Sequence, residues 1–100
     1  MSREIRYINT DKTAAVEELL HAKLDKLSEK YSWITNAAVF IKEEKRPEEK
    51  NHECEIKLSV PGPQIFASNN DTTISKAIHA VIGELSVQLE RKKDKMQEKR

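Results

Sequence analysis

Few side chains in these 100 residues have the types and spacing that chemistry requires. His52 and Cys54 stand two apart on one face of a strand pattern, which offers two metal ligands. A structural zinc site needs four, and neither Cys-x-x-Cys nor His-x-x-x-His completes the set, so a core pair is the preferred reading. His21 and His79 fall on the polar shoulders of helical patterns, without a neighbouring nucleophile to activate. The pairs Glu43-Glu44 and Glu48-Glu49 flank Pro47 with no apolar surround to raise a carboxyl pKa, and they read as solubilising loop charges. The glycines, Gly62 and Gly83, are isolated and form no phosphate-cradling loop. No catalytic residue, metal or cofactor is therefore expected.

The lysines are the residues with a pattern. With Leu20 set at 0° and 100° per residue, Lys12, Lys23, Lys26 and Lys30 fall between about −60° and −120°, while Glu17, Glu18, Asp25 and Glu29 fall between about 60° and 180°. In the last helical stretch, with Ile78 at 0°, Lys92, Lys93, Lys95, Lys99 and Arg100 lie between about −100° and 60°, continuing the apolar stripe as a basic one. Two such faces suit a nucleic-acid backbone, where each neutralised phosphate releases a counterion. The competing reading is a pair of solvated helices with cations placed favourably near their C-termini.

These side chains need elements to hold them. Arg3 to Ile8 alternate as a first strand, and Asn9-Thr10-Asp11 offers caps for a helix from about Lys12 to Tyr31, whose apolar positions include Val16, Leu20, Leu24 and Leu27. Ala37 to Lys45 predicts a second strand, and the all-polar run to Asn51 predicts an exposed connection. Strict alternation of His52, Cys54, Ile56, Leu58 and Val60 with polar residues predicts a third strand. Pro61-Gly62-Pro63 forces a turn into a fourth, Gln64 to Ser68, after which Asn69 to Thr72 is expected to cap a helix carrying Ile74, Ile78, Val81, Ile82, Leu85 and Leu89 through Met96. The expected fold is α+β in the order β-α-β-β-β-α: a four-stranded mixed sheet, strands one and two parallel, with two helices on one face. Tyr7 and Tyr31 belong to apolar faces; Trp33 either packs under the connection after the first helix or stands at its rim, free to stack.

Size and composition agree with one small core. A formal net charge of +1 beside 35% charged residues excludes a uniformly basic arm, so any cationic function depends on how charge is distributed. A lone cysteine excludes an internal disulfide and suits a reducing compartment, and no apolar run has the length of a signal peptide core or membrane span. The expected location is the cytoplasm.

Four segments carry a family resemblance: Ala22-Lys23-Leu24-x-Lys26-Leu27, Val39-Phe40-Ile41-Lys42, Gln64-Ile65-Phe66-Ala67-Ser68 and Gln88-Leu89-x-x-Lys92-Lys93-x-Lys95. Together they resemble the ribosome hibernation promoting factors and ribosome-associated inhibitors, also called sigma-54 modulation proteins, in their short form. The resemblance implies a layout similar to double-stranded RNA-binding domains and a single ribosome-binding domain over residues 1–100, with 91–100 as a basic helical extension. It implies binding to the small ribosomal subunit at the mRNA and tRNA decoding region and inhibition of translation in stationary phase or stress, by occupancy rather than catalysis. The implied partners are rRNA phosphates, with no membrane, no small-molecule substrate, and a monomer off the ribosome. The rRNA-binding residues expected from the stripes and the resemblance together are Lys23, Lys26, Lys30, Lys42, Lys92, Lys93, Lys95 and Lys99. Ser32-Trp33, Glu84 and Val87 depart from the family pattern, each where a basic residue can occur. The short form also implies no further domain for joining two ribosomes. Two alternatives remain: a free-standing double-stranded RNA-binding module using the same lysines, and a protein-interaction module that modulates a sigma factor through the open sheet face with Glu55, Lys57 and Ser59.

Overall fold

The structure is a computed structural model that describes residues 1–44 and 51–98, the last by its backbone alone. The hairpin connection expected around Pro47 and the site residue Lys99 lie outside the described residues. The order is β1 (Ser2–Ile8), α1 (Ala14–Lys30), β2 (Asn36–Glu43), β3 (His52–Ser59), β4 (Ile65–Asp71) and α2 (Ile74–Glu98).

The strands form one sheet in the order β1-β2-β3-β4. β1 and β2 are parallel, Ser2 beside Asn36 through Ile8 beside Lys42, because α1 carries the chain back to the starting edge. β2–β3 and β3–β4 are antiparallel, with Val39 beside Ile56 and Ile56 beside Ala67. Alternation then sorts the side chains onto two faces. Val39, Ile41, Cys54, Ile56, Leu58 and Ala67 point towards the helices and are buried with Leu20, Leu24 and Leu27 of α1 and Ala77, Ile78, Val81, Leu85 and Leu89 of α2. The mixed sheet with both helices on one face is as the periodicity predicts.

The helix starts differ from expectation. α1 is capped by Thr13, whose Oγ1 accepts from the Val16 amide at 3.2 Å, and not by Asn9 to Asp11. Asn9 instead takes a left-handed φ of 59°, where the chain leaves β1, and Lys12 precedes the helix. β4 runs three residues further than Ser68, since Asn69, Asn70 and Asp71 still pair with Cys54, Glu53 and His52. The cap of α2 is therefore Thr73, whose Oγ1 accepts from the Lys76 amide at 3.1 Å. Both misplaced caps share a cause: runs of Asn, Asp and Thr supply several acceptors, and only pairing decides which one stands at the first turn.

Pro61-Gly62-Pro63 turns β3 into β4 with Gly62 at φ +89°, a conformation that disfavours any residue with a Cβ. α2 extends well past its last buried residue, Leu89, so its final two turns stand clear of the core. Trp33 is half-buried against the core edge, its ring edge-on to Tyr31 at 5.7 Å.

Candidate nucleic-acid interface

The two flanks of α1 have separate uses. Its acidic flank faces β1: Arg3 binds Asp25 at 2.6 Å and donates to His21 Nδ1 at 2.8 Å, and the Tyr7 hydroxyl donates to Glu17 at 2.5 Å. Burial, with the Glu17 carboxylate beside it, raises the Tyr7 pKa well above the ordinary phenol range. The hydrogen bond from Tyr7 in turn lowers that of Glu17, with smaller contributions from Lys12 and His21.

The lysine flank faces α2. Lys30 Nζ lies 3.9 Å from Glu90 of α2 and 5.5 Å from the Tyr31 ring centre. The buried Tyr31 donates its hydroxyl to Glu90 at 2.6 Å, so the helices are tied together at this point. Burial and the Glu90 carboxylate push the Tyr31 phenol up to about 12. Glu90 is held below the usual carboxylate range, first by that hydrogen bond and then by Lys30 and Lys93. Lys93 thus joins Lys30 around Glu90 in the furrow between the helices, with Asp94 near enough to act on Tyr31, while Lys23 and Lys26 share the Lys30 flank of α1 by helical position.

Lys92 and Lys95 belong to the other shoulder of α2. They border an open groove of about 520 Å³ between the end of α2 and the β3–β4 turn, whose floor includes Pro63, Ile65 and Met96. Arg91 lines it as well. This arginine was not among the residues expected from sequence, because at about −140° it falls outside the basic window, and only the turn opposite makes it a groove residue. Lys92 Nζ stands 3.1 Å from where a Cβ on Gly62 would be. The Gln88 amide donates to the Phe66 carbonyl at 2.9 Å, tying α2 to the edge strand beside the groove.

Lys42 is not brought to either place. It projects from the sheet face opposite the helices, in register with Glu53 and Ile8. That open face also carries Phe40, with Lys57 Nζ 5.9 Å from its ring centre, and Phe66, which is 46% exposed.

The thiol of Cys54 is buried in the core. Burial, with Glu53 and Glu55 adding, pushes the Cys54 thiol up to about 12, far from a thiolate nucleophile. Among the described residues, no cluster of three His, Cys, Asp or Glu side chains could hold a metal ion. What the arrangement offers is fixed cation spacing on two sides of one helix, the requirement for meeting a polyanion.

The domain is thus a strand-helix-three-strand-helix unit with cations on two sides of its last helix. Residues 4–97 match the family described as sigma 54 modulation protein / S30EA ribosomal protein, and the chain belongs to that family. Among solved structures it is similar to a ribosomal subunit interface protein from Coxiella burnetii, with a TM-score of 0.82 and 20% identity over 94% of this chain and 99% of that one. It is also similar to the N-terminal domain of Protein Y from Thermus thermophilus, with a TM-score of 0.76 and 22% identity over 91% and 98%. No curated protein sequence matches closely enough to count as a relative. The family match agrees with the resemblance carried by the four sequence segments.

Proposed function

We propose that this protein is a ribosome hibernation factor: it binds the small ribosomal subunit at the decoding region, excludes mRNA and tRNA, and lowers translation in stationary phase or stress. The observation that carries this reading is the cations on either side of α2, Lys30 and Lys93 on one side, continued along the same flank of α1 by Lys23 and Lys26, and Arg91, Lys92 and Lys95 on the other, on a family fold. The name of the Coxiella protein, a ribosomal subunit interface protein, supports the choice of partner. Inhibition then requires only a rigid body whose cations meet rRNA phosphates across a cleft. Lys42 would reach a different wall of that cleft, since it leaves the opposite face of the sheet.

Co-sedimentation with purified small subunits at two salt concentrations, with and without mRNA plus initiator tRNA, tests the reading. Salt-sensitive binding displaced by the competitors is expected; no binding, or binding indifferent to both, refutes it. A second reading, protein interaction through the open sheet face, draws on the exposed Phe66 and the Phe40–Lys57 contact. Charge reversal on the helices would leave that interaction intact.

A further inference from the structure

The groove at the end of α2 has features that phosphate contact does not explain. A cationic track needs only exposed ammonium and guanidinium groups, yet between Arg91, Lys92 and Lys95 lies an apolar floor of Pro63, Ile65 and Met96. Met96 is 38% exposed on a helix end otherwise given to charge, and Ile65 is covered to all but 7%. Among the described residues no carboxylate lines the groove, and its volume of about 520 Å³ is in the range of small-molecule sites, about 300–1,000 Å³.

The walls are also fixed in advance. The Pro61-Gly62-Pro63 turn is stiffened by two prolines, Gly62 leaves room for the Lys92 ammonium to approach it, and Gln88 ties α2 to the β4 backbone. Preorganisation of this kind lowers the entropy lost on binding. Gln64 stands exposed at the mouth with an amide that can both donate and accept.

From this the geometry points to a pocket for one unpaired RNA nucleotide, its base laid on Pro63, Ile65 and Met96 and its phosphate met by Arg91, Lys92 and Lys95. The inference rests on the reading that the cationic tracks bind RNA, and it names what one of them recognises. A paired base is excluded by geometry: inside a duplex both base faces are stacked, so only the phosphate ridge reaches the protein and the apolar floor stays unused. An unpaired residue presents an apolar face and a charge side by side, as the groove does.

The test is a methyl-resolved NMR titration of the full chain with a four-nucleotide single-stranded RNA, the same strand with its bases removed, a nucleoside monophosphate, and a blunt RNA duplex. The expected result is shifts at the Ile65 and Met96 methyl groups with the base-bearing strand alone among the polymers. That strand should bind about tenfold tighter than its abasic counterpart, equivalent to removing about 55 Å² of apolar base surface from water. Met96→Ser should cut that factor to about threefold. Equal affinity of the abasic strand, the same shifts with duplex, or shifts centred on Phe40 and Phe66 would overturn the pocket. Binding of the free nucleotide as tight as that of the strand would also overturn it, assigning the groove to a soluble ligand. Small-subunit sedimentation on the same samples separates the two claims. If it persists while base and abasic strands bind alike, the pocket fails and the ribosomal reading stands; if it is lost while the base-dependent shifts remain, the reverse holds.

Discussion

Neutralising the groove cations should change the salt dependence of ribosome binding by a calculable amount. Lys30 and Lys93 meet around Glu90, Lys23 and Lys26 lie on the same flank of α1 as Lys30, and Arg91, Lys92 and Lys95 line the groove. If each meets one phosphate, the slope of log affinity against log salt is between about −5 and −6, at roughly 0.7 to 0.9 per contact. Binding to small subunits then weakens about 2,000-fold between 50 and 200 mM monovalent salt. The triple variant Arg91→Gln, Lys92→Gln, Lys95→Gln removes three contacts, which leaves a slope near −3 and a loss of about 100-fold over the same interval. The assay is quantitative co-sedimentation over a salt series at constant magnesium, with Glu18→Gln on the exposed acidic flank as a control expected to keep the wild-type slope. Thermal unfolding of the triple variant should match wild type, because all three side chains lie beyond Leu89, the last buried position of α2. A slope changed by less than about one unit, with folding intact, would refute the assignment of these side chains to phosphate contacts.

Three further predictions concern what holds the frame. Gly62→Ala places a Cβ at φ +89°, costing about 1–2 kcal/mol in urea unfolding; the 3.1 Å approach of Lys92 adds little, since a lysine tip can move. Unchanged stability would mean the turn is not held in this conformation. Leu85→Ala, at a fully buried position between α2 and the sheet, should lose about 2–5 kcal/mol; a loss below about 1 kcal/mol would contradict the packing. Tyr7 and Tyr31 both have phenol pKa values raised above 10.0, so their share of stability is complete below that pH and is lost as pH rises towards about 12 for Tyr31. Ultraviolet titration should accordingly show neither tyrosine ionising at the ordinary phenol pH, and ionisation of both at the free value would refute the Glu17 and Glu90 contacts. In acid the signs reverse. Glu17 and Glu90 sit below their reference of 4.5, so their contribution is present above that pH and fades as pH falls through their folded values.

Much of this architecture was legible from side-chain period. The strict alternation from His52 to Ser59 could only be a strand with one wet face, and the spacing of Leu20, Leu24 and Leu27 placed the core side of α1 correctly. What could not be read was which acceptor caps each helix, because Asn69, Asn70 and Asp71 pair as an edge strand only once β3 is beside them. The site was legible in part for the same reason. Angular arithmetic separates lysines from carboxylates along one helix, yet it cannot say what lies across from either flank. That Lys93 shares a furrow with Lys30 follows from Glu90, while Lys92 faces away towards a turn distant in sequence. Lys42 shows the limit most clearly. It belongs to a segment resembling the family, but strand alternation sends it to the far face of the sheet.

The segregation of charge on α1 has a structural cause as well as a functional use. Had acids and lysines been mixed, carboxylates would stand among the furrow cations and cancel their field, and fewer would reach Arg3 and Tyr7. As built, Asp25 and Glu17 are engaged by β1, while Glu90, the acid paired with Lys30, is itself engaged by Tyr31. The acidic side chains therefore stabilise the frame, and the cations are left towards solvent. A protein with a net charge of only +1 can still present a basic ridge in this way, because Glu17, Asp25 and Glu90 are held at joints between elements and not spread among the lysines. The same division explains why the triple charge variant should separate binding from folding: Arg91, Lys92 and Lys95 take no part in the Arg3, Tyr7 or Tyr31 contacts. Substituting Glu17 or Asp25 would do the opposite, loosening β1 from α1 while leaving the ridge in place.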